Sequence, residues 1–375
     1  MEADVIIIGA GSMGMAAGYY LARANRKVVL IDSNDPPHTE GSHHGKTRLI
    51  RHAYGEGEQY VPMALRAQEL WLELERDSGR KVFHQTGVLN IGTPESDFLK
   101  NVFRSAETYS LPTEKLSSKE VNDRWSGFRL PDGLVACFEK NSGVLMSEEA
   151  IRAYRELAEQ QDAALLMNTR VQKLQTDGDC ISVTAGGTLI TGKKLIITAG
   201  KGTNSVLQLL GRQLPLQPMR THVSWFEADT ELYRPDIFPA WAYDDGDSGF
   251  YGFPDIEGAG LKIGNHQAGS PVLPEEKLKP FGAVPGDGKD VSDFLSLHMG
   301  VDPILRTAQV CTYTDSPDGD FIIDQLPGYG NVIVACGFSG HGFKFASVVG
   351  EILMELTICG RTSLDITGFA ACRFD

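Results

Sequence analysis

Apolar residues are distributed along the chain in three patterns. Val5-Ile-Ile-Ile8, Val28-Val-Leu-Ile31, Leu195-Ile-Ile197 and Val332-Ile-Val334 are unbroken apolar runs. Strands buried on both faces of a parallel sheet read this way, because neither face meets water. The second pattern repeats every three or four positions and predicts helices over Ser12 to Ala24, Tyr60 to Arg76, Glu95 to Tyr109 and Phe345 to Leu356. In the Tyr60 to Arg76 segment the stripe is Val61, Ala64, Leu65, Ala67, Leu70, Trp71 and Leu74. Ser147, followed by Glu148 and Glu149, predicts an N-cap with acids in the first turn of a helix running to about Gln161. The third pattern alternates. Val82 to Ile91 predicts a strand, and Leu165 to Leu174 with Cys180 to Ala185 and a Gly186-Gly187 turn predict a β-meander. Val223 to Glu227, Phe250 to Phe253 and Gly260 to His266, separated by Pro- and Gly-rich turns, predict a second, antiparallel sheet.

These elements predict an α/β chain of two domains. One is a Rossmann-like dinucleotide-binding domain carrying the β-meander, discontinuous over residues 1–82, 145–212 and 320–375. The other is an antiparallel-sheet substrate domain from residues 83–144 and 213–319.

The link between the first strand and the first helix carries the first chemistry. Gly9 makes a tight turn, Gly11 lets the backbone approach a pyrophosphate, and Gly14 permits helix and strand to pack closely. The helix that opens at Ser12 and Met13 aims free N–H groups and its positive dipole end at the phosphates. Asp32, at the end of the second strand, is placed to accept hydrogen bonds from an adenosine ribose. The loop by itself predicts a dinucleotide without choosing between NAD and FAD.

Composition narrows the partners. A net charge of −14 disfavours nucleic acid and anionic membranes, which need a cationic face. The apolar opening is too short to span a bilayer and lacks a basic leader, so the expectation is a cytoplasmic protein. The six cysteines show no CxxC and no metal-like spacing, and no carboxylate cluster accompanies His43 and His44, so no metal site is expected.

Three polar clusters are candidates for the reaction centre. Gly41-Ser42-His43-His44-Gly45-Lys46-Thr47-Arg48-Leu49-Ile50-Arg51 crowds histidine and arginine into a glycine-rich loop near the first βα unit. Gly337-Phe-Ser-Gly340-His-Gly342-Phe343-Lys344 lies between a strand and a helix, where backbone N–H groups can face an anion. Lys262 stands in an otherwise apolar strand, where an inward lysine is costly unless used.

With Arg48-Leu-Ile-Arg-His-Ala-Tyr-Gly-Glu-Gly, Tyr251-Gly-Phe-Pro, Leu261-Lys-Ile-Gly, Cys311-Thr-Tyr and Phe321-Ile-Ile-Asp, these segments resemble the sarcosine oxidase and N-methyltryptophan oxidase family of FAD-dependent amine oxidases in order along nearly the whole chain. The resemblance implies FAD attached covalently as an 8α-S-cysteinyl thioether at Cys311. It implies that Lys262 activates oxygen beside the flavin, with His44, Arg48 and His266 also in the catalytic centre. Arg51 and Lys344 would hold a substrate carboxylate, and Tyr251 and Tyr313 would line the substrate pocket. Ser12, Met13, Ser42, His43, Thr47, Gly340, Gly342 and Phe343 would join Gly9, Gly11, Gly14 and Asp32 around the cofactor. The implied reaction is oxidative demethylation of sarcosine or a related N-methyl amino acid by a monomer, with dioxygen and water, giving the amino acid, formaldehyde and hydrogen peroxide. Oxidation of N-methyltryptophan, of a cyclic imino acid such as proline or pipecolate, or of a glycated amino acid needs the same clamp. Lys46, Gly202, Phe250 and Asn265 depart from the pattern of these relatives. An NAD-dependent dehydrogenase or a non-catalytic flavin sensor would also use the glycine loop, but neither needs the Gly337–Lys344 segment or Lys262.

Overall fold

The computed structural model describes residues 1–374. Its central sheet has six strands in the order Ile322–Gln325, Val332–Cys336, Lys194–Ile197, Val5–Ile8, Val28–Ile31 and Ala164–Leu166. All neighbours run parallel except the first pair, which is antiparallel. Both faces are covered, which is why the strands show no alternation in sequence. Val5 and Ile7 pack under a helical layer made of Ser12–Arg23, Val61–Ser78, Ser147–Gln160 and Ala346–Cys359. Ile6 and Ile8 pack against the Val171–Asp177, Cys180–Ala185 and Thr188–Gly192 meander on the other side.

A nine-stranded sheet supplies the second layer. Its main path runs Ser270–Pro271, Gln217–Phe226, Leu261–Asn265, Gly249–Phe253, Ala240–Asp244, Val88–Gly92, Val135–Glu139 and Thr113–Ser117, with Leu305–Asp315 also paired to Gln217–Phe226. Neighbours are antiparallel except Ala240–Asp244 and Val88–Gly92, which run parallel, so the sheet is mixed rather than wholly antiparallel. A small sheet of Thr47–Ile50, Gly143–Met146 and Phe83–His84 lies at the edge of the helical layer.

Three local expectations are corrected. Val82 to Ile91 is two strands, interrupted at residues 85–87, where Gly87 takes φ +71° and Gly87 N–H donates to Ser142 O. Leu165 to Leu174 also divides: Ala164–Leu166 joins the central sheet, Asn168 turns the chain with φ +52°, and Val171–Asp177 enters the meander. Ser147 is the first helical residue rather than a cap, because Met146 is paired to Thr47 and the helix leaves the strand directly. The acid beside it serves the neighbouring loop instead. Glu148 Oε1 accepts the N–H groups of Gly45 and Lys46 at 3.1 and 3.3 Å.

Candidate active site

The Ser12–Arg23 helix starts at Gly11 with no side-chain cap, so its first-turn N–H groups have no partner of their own. They open on a cavity of about 680 Å³ lined by Gly9, Gly11, Ser12, Met13, Asp32, Ser42, His43, Gly340, Gly342 and Phe343. Gly14 lies beneath this floor, where an added Cβ would overlap the carbonyl oxygen of Gly9 and Thr198 Oγ1. Asp32 Oδ2 accepts the Ala10 N–H at 2.7 Å and Oδ1 accepts the Asn34 N–H at 2.9 Å. The acid ending the second strand thereby fastens the loop that follows the first. An uncapped helix start, a glycine floor and an acid at the strand end fit the ADP portion of FAD. His43 is held in the wall, its Nε2 accepting the His38 N–H at 3.0 Å, and burial pushes its pKa well below the ordinary histidine value.

A second cavity of about 360 Å³ adjoins the first, and Arg48, Tyr313, Gly340 and Phe343 line both. Arg51, Tyr251, Lys262, His266, Cys311 and Lys344 complete its reactive lining. Gly340 is required for this junction: it has φ +77°, and a Cβ there would stand 2.5 Å from the Tyr313 ring and 2.7 Å from His266 Cε1. Tyr251 and Tyr313 bring their hydroxyls to 3.5 Å.

Lys262 points inward from Leu261–Asn265, opposite Trp225 on one neighbouring strand and Phe253 on the other. Its Nζ donates to Gly45 O and Thr47 O, each at 2.7 Å, and lies 3.0 Å from Thr47 Oγ1. Burial pulls its pKa well below the ordinary lysine value and Arg48 adds to the fall. The three oxygens and the Phe253 ring, 4.5 Å from Nζ, are nevertheless surroundings that suit an ammonium.

Cys311 is buried on Leu305–Asp315. Burial would raise its thiol, but His44, Arg48 and Lys262 outweigh it and leave the pKa below the ordinary cysteine value. Burial would lower His44, and there Cys311 and Gln309 prevail and raise it. His44 Nδ1 is 3.2 Å from Gln309 Oε1, while Nε2 is buried without a protein partner. His44 and Thr47 do not line either cavity: the histidine reaches the site through Cys311, and the threonine holds Lys262. Arg48 staples the loop itself, donating to the carbonyls of Ser42, His44 and Thr47 at 2.7 Å each.

The two remaining cations form a pair around Tyr54. Lys344 Nζ donates to Tyr54 Oη at 3.0 Å and to His341 O at 2.8 Å. Burial brings Lys344 down to about 7, with Glu56 opposing and Arg51 and Arg48 assisting. Arg51 donates through NH1 to Asn90 Oδ1 at 3.1 Å and through NH2 to both oxygens of Glu56, at 2.6 and 2.8 Å. Burial would raise the Glu56 carboxyl, but Arg51 outweighs it and holds it at about 2. Burial lowers His266, so its imidazole is neutral at pH 7.

Glu56, Tyr54, Asn90 and His341 were not singled out in the sequence. Tyr54, Glu56 and His341 lie inside segments that were, whereas Asn90 carried its own signal as a lone amide in the buried run Val88-Leu-Asn-Ile91. Among the described residues no group of three or more His, Cys, Asp or Glu could hold a metal ion, and no helix is long and apolar enough to cross a membrane.

Known proteins are similar to this chain along its whole length. Monomeric sarcosine oxidase from Bacillus sp. (strain NS-129) is 47% identical over 373 residues, covering 99% of this chain and 96% of the relative. N-methyl-L-tryptophan oxidase from Citrobacter koseri is 45% identical over 377 residues, covering all of both chains. Among solved structures, the open form of NikD, an unusual amino acid oxidase essential for nikkomycin biosynthesis, superposes with a TM-score of 0.86 at 22% identity over 99% of this chain and 97% of that one. The model of the family described as FAD dependent oxidoreductase matches residues 4–356. With the dinucleotide cradle opening on a cavity of buried cations, the chain belongs to the FAD dependent oxidoreductase family.

Proposed function

We propose that the chain is a monomeric, cytoplasmic flavoprotein oxidase acting on N-methylglycine or a related N-methyl amino acid. With one dioxygen and one water per turnover it releases the demethylated amino acid, formaldehyde and hydrogen peroxide. FAD, when bound, takes two electrons from a C–H bond of the N-methyl group and returns them to dioxygen. The observation that carries this reading is the pair of buried cations, Arg51 and Lys344, in one cavity with Lys262 and Cys311. Arg51 and Lys344 hold the substrate carboxylate, and Tyr251, Tyr313 and His266 wall the amine end. Glu56, held at about 2, is too weak a base to accept a proton from an ammonium, so the substrate reacts as its free amine. Hydrolysis of the resulting imine divides it into amino acid and aldehyde. Lys262 stabilises negative charge developing on dioxygen. Cys311, its thiol made more acidic by His44, Arg48 and Lys262, tethers the flavin through sulfur. In this reading residues 1–82, 145–212 and 320–375 serve the cofactor, and residues 83–144 and 213–319 serve the substrate.

Phe98, Ala242 and Phe250 also line the cavity and favour, as a second reading, an N-methyl amino acid with a bulky side chain such as N-methyltryptophan. Peroxide release across sarcosine, N-methyl-L-tryptophan, L-proline, L-pipecolate and a fructosyl amino acid tests the choice. N-methyl substrates must give formaldehyde and peroxide in equal amounts; peroxide from none of these amines refutes the oxidase reading. Acid precipitation tests the tether. The wild-type pellet should stay yellow and the Cys311→Ala pellet should not, and a colourless wild-type pellet refutes the link.

A further inference from the structure

Tyr54 is fully buried, and its ring centroid lies 5.0 Å from both the guanidinium carbon of Arg51 and Nζ of Lys344. Its hydroxyl lies between Lys344 Nζ, at 3.0 Å, and His341 Nδ1, at 2.8 Å. On its other side the histidine brings Nε2 to 3.2 Å from Gly319 O. A carbonyl can only accept, so Nε2 carries the proton of a neutral imidazole and Nδ1 must accept. Burial pulls His341 down to about 3, which keeps the imidazole neutral. Tyr54 therefore donates to His341, and its oxygen turns its lone pairs to Lys344. With a second N–H on His341 O, the lysine keeps one N–H for a ligand.

Arg51 is served by a relay of the same logic. Glu139 is buried and accepts the N–H groups of His52 and Ala53, at 2.7 and 3.0 Å, and the Ser142 hydroxyl, at 2.9 Å. Asn90 Nδ2 donates to Glu139 Oε1 at 2.7 Å. An amide facing a carboxylate must present its nitrogen, which leaves Asn90 Oδ1 to accept from Arg51 NH1. Asn90 has no exposed surface, so neither end of its amide can turn to water instead.

We propose that Tyr54 and Asn90 are the positioning residues of the carboxylate clamp, each the middle of a buried relay whose donor–acceptor direction is fixed at its far end. The Gly319 carbonyl sets the first relay and Glu139 the second. The consequence is selectivity for a charged carboxylate over a neutral group of equal shape, because both cations are aimed before the ligand arrives. This rests on the reading of Arg51 and Lys344 as the holders of the substrate carboxylate.

Methoxyacetate and methoxyacetamide separate the two claims. They match in size, and neither has an N-methyl group to oxidise. Binding to the holoenzyme is followed through the visible flavin band. If the wild type binds acid and amide alike, the clamp itself is refuted. If it prefers the acid, Tyr54→Phe should weaken methoxyacetate about tenfold while methoxyacetamide stays within about twofold, the loss of one hydrogen bond to a charged group. Asn90→Leu should do the same through Arg51. With an oxidisable substrate both variants should raise KM and leave kcat nearly unchanged. Tyr20→Phe, which removes a buried hydroxyl paired with Tyr154 on the helical layer, should change neither affinity. Tyr54→Phe keeps the ring between the two cations and decides the matter even where Asn90→Leu does not fold. Wild-type selectivity in Tyr54→Phe, or equal weakening of acid and amide, overturns the proposal.

Discussion

Raising the pH should loosen the carboxylate clamp at its lysine. Lys344, brought down to about 7, is the sensitive element. At pH 6 about nine-tenths of it is ammonium and at pH 9 about one-hundredth, by the ordinary titration relation around that value. If only the ammonium holds a carboxylate, the apparent Kd rises by up to about 90-fold over that interval. One hydrogen bond to a charged group is worth roughly 1.5–3 kcal/mol, so about 10- to 100-fold, and the two limits agree. The groups around Lys344 do not compete in this window. Glu56 sits at about 2 and His341 at about 3, and burial holds His266 below its ordinary value and raises Tyr54 well above its own. Lys262 is the other buried amine in the cavity with a depressed pKa, so Lys344→Met is the control that separates the two. The assay is methoxyacetate binding to the holoenzyme between pH 5.5 and 9.5, since a ligand without an amine does not titrate there. Affinity should be level below pH 7 and fall above it in the wild type, and be weak and level in Lys344→Met. A Kd constant within about threefold, or the same rise in the variant, refutes the reasoning.

Three further outcomes follow from other parts of the molecule. Lys262→Met should leave flavin reduction by substrate in place and slow reoxidation in air about 100- to 1000-fold, as for loss of one preorganised charge; anaerobic and aerobic stopped-flow absorbance distinguish the two steps. Gly14→Ala puts a methyl group into the Gly9 carbonyl, so the protein should lose about 1–3 kcal/mol and much of its flavin, read by thermal melting and the 450 nm band; full flavin content would contradict the packing argument. The side chains of Arg220 and Asp287, each 5% exposed, meet at 2.8 Å and tie residues 279–287 to Gln217–Phe226. Arg220→Met should cost about 3–5 kcal/mol by stranding a buried carboxylate, and Asp287→Leu added to it should recover most of the loss; an unchanged melting temperature in the single variant would refute this.

The parts of this fold visible in sequence are those whose causes are local. Val5–Ile8 and Ser12–Arg23 are legible because a doubly buried strand, a glycine turn and an amphipathic helix each imprint their own spacing. The division of Val82 to Ile91 was hidden, since Gly87 turns the chain to meet a carbonyl from Ser142, which only the tertiary structure supplies. The same holds for the site. Lys262 declared itself as a charge in an apolar strand, but one partner of each clamp cation, Tyr54 for Lys344 and Asn90 for Arg51, is set by contacts across long separations: Tyr54 meets His341 at 287 positions' distance and Asn90 meets Glu139 at 49. No spacing rule reaches that far. His44 and Thr47, which lie within a recognisable segment, stand behind the cavity and act on it through Cys311 and Lys262.

The order of strands in the central sheet sets a timetable for the growing chain. Val5–Ile8 emerges before the other strands of this sheet and sits mid-sheet, but one of its neighbours, Lys194–Ile197, follows about two hundred residues later, and Val332–Cys336 later still. Until then the earliest strand has an open edge, and parallel pairing over such distances is slow and exposed to aggregation. Lys344 arrives just after the strand that completes this stretch of sheet, so the lysine of the clamp is made well after Arg51, its partner cation. Nascent chains stalled before that point should have no competent pocket, and a cofactor that binds across both cavities would find its full site only once Lys344 has emerged.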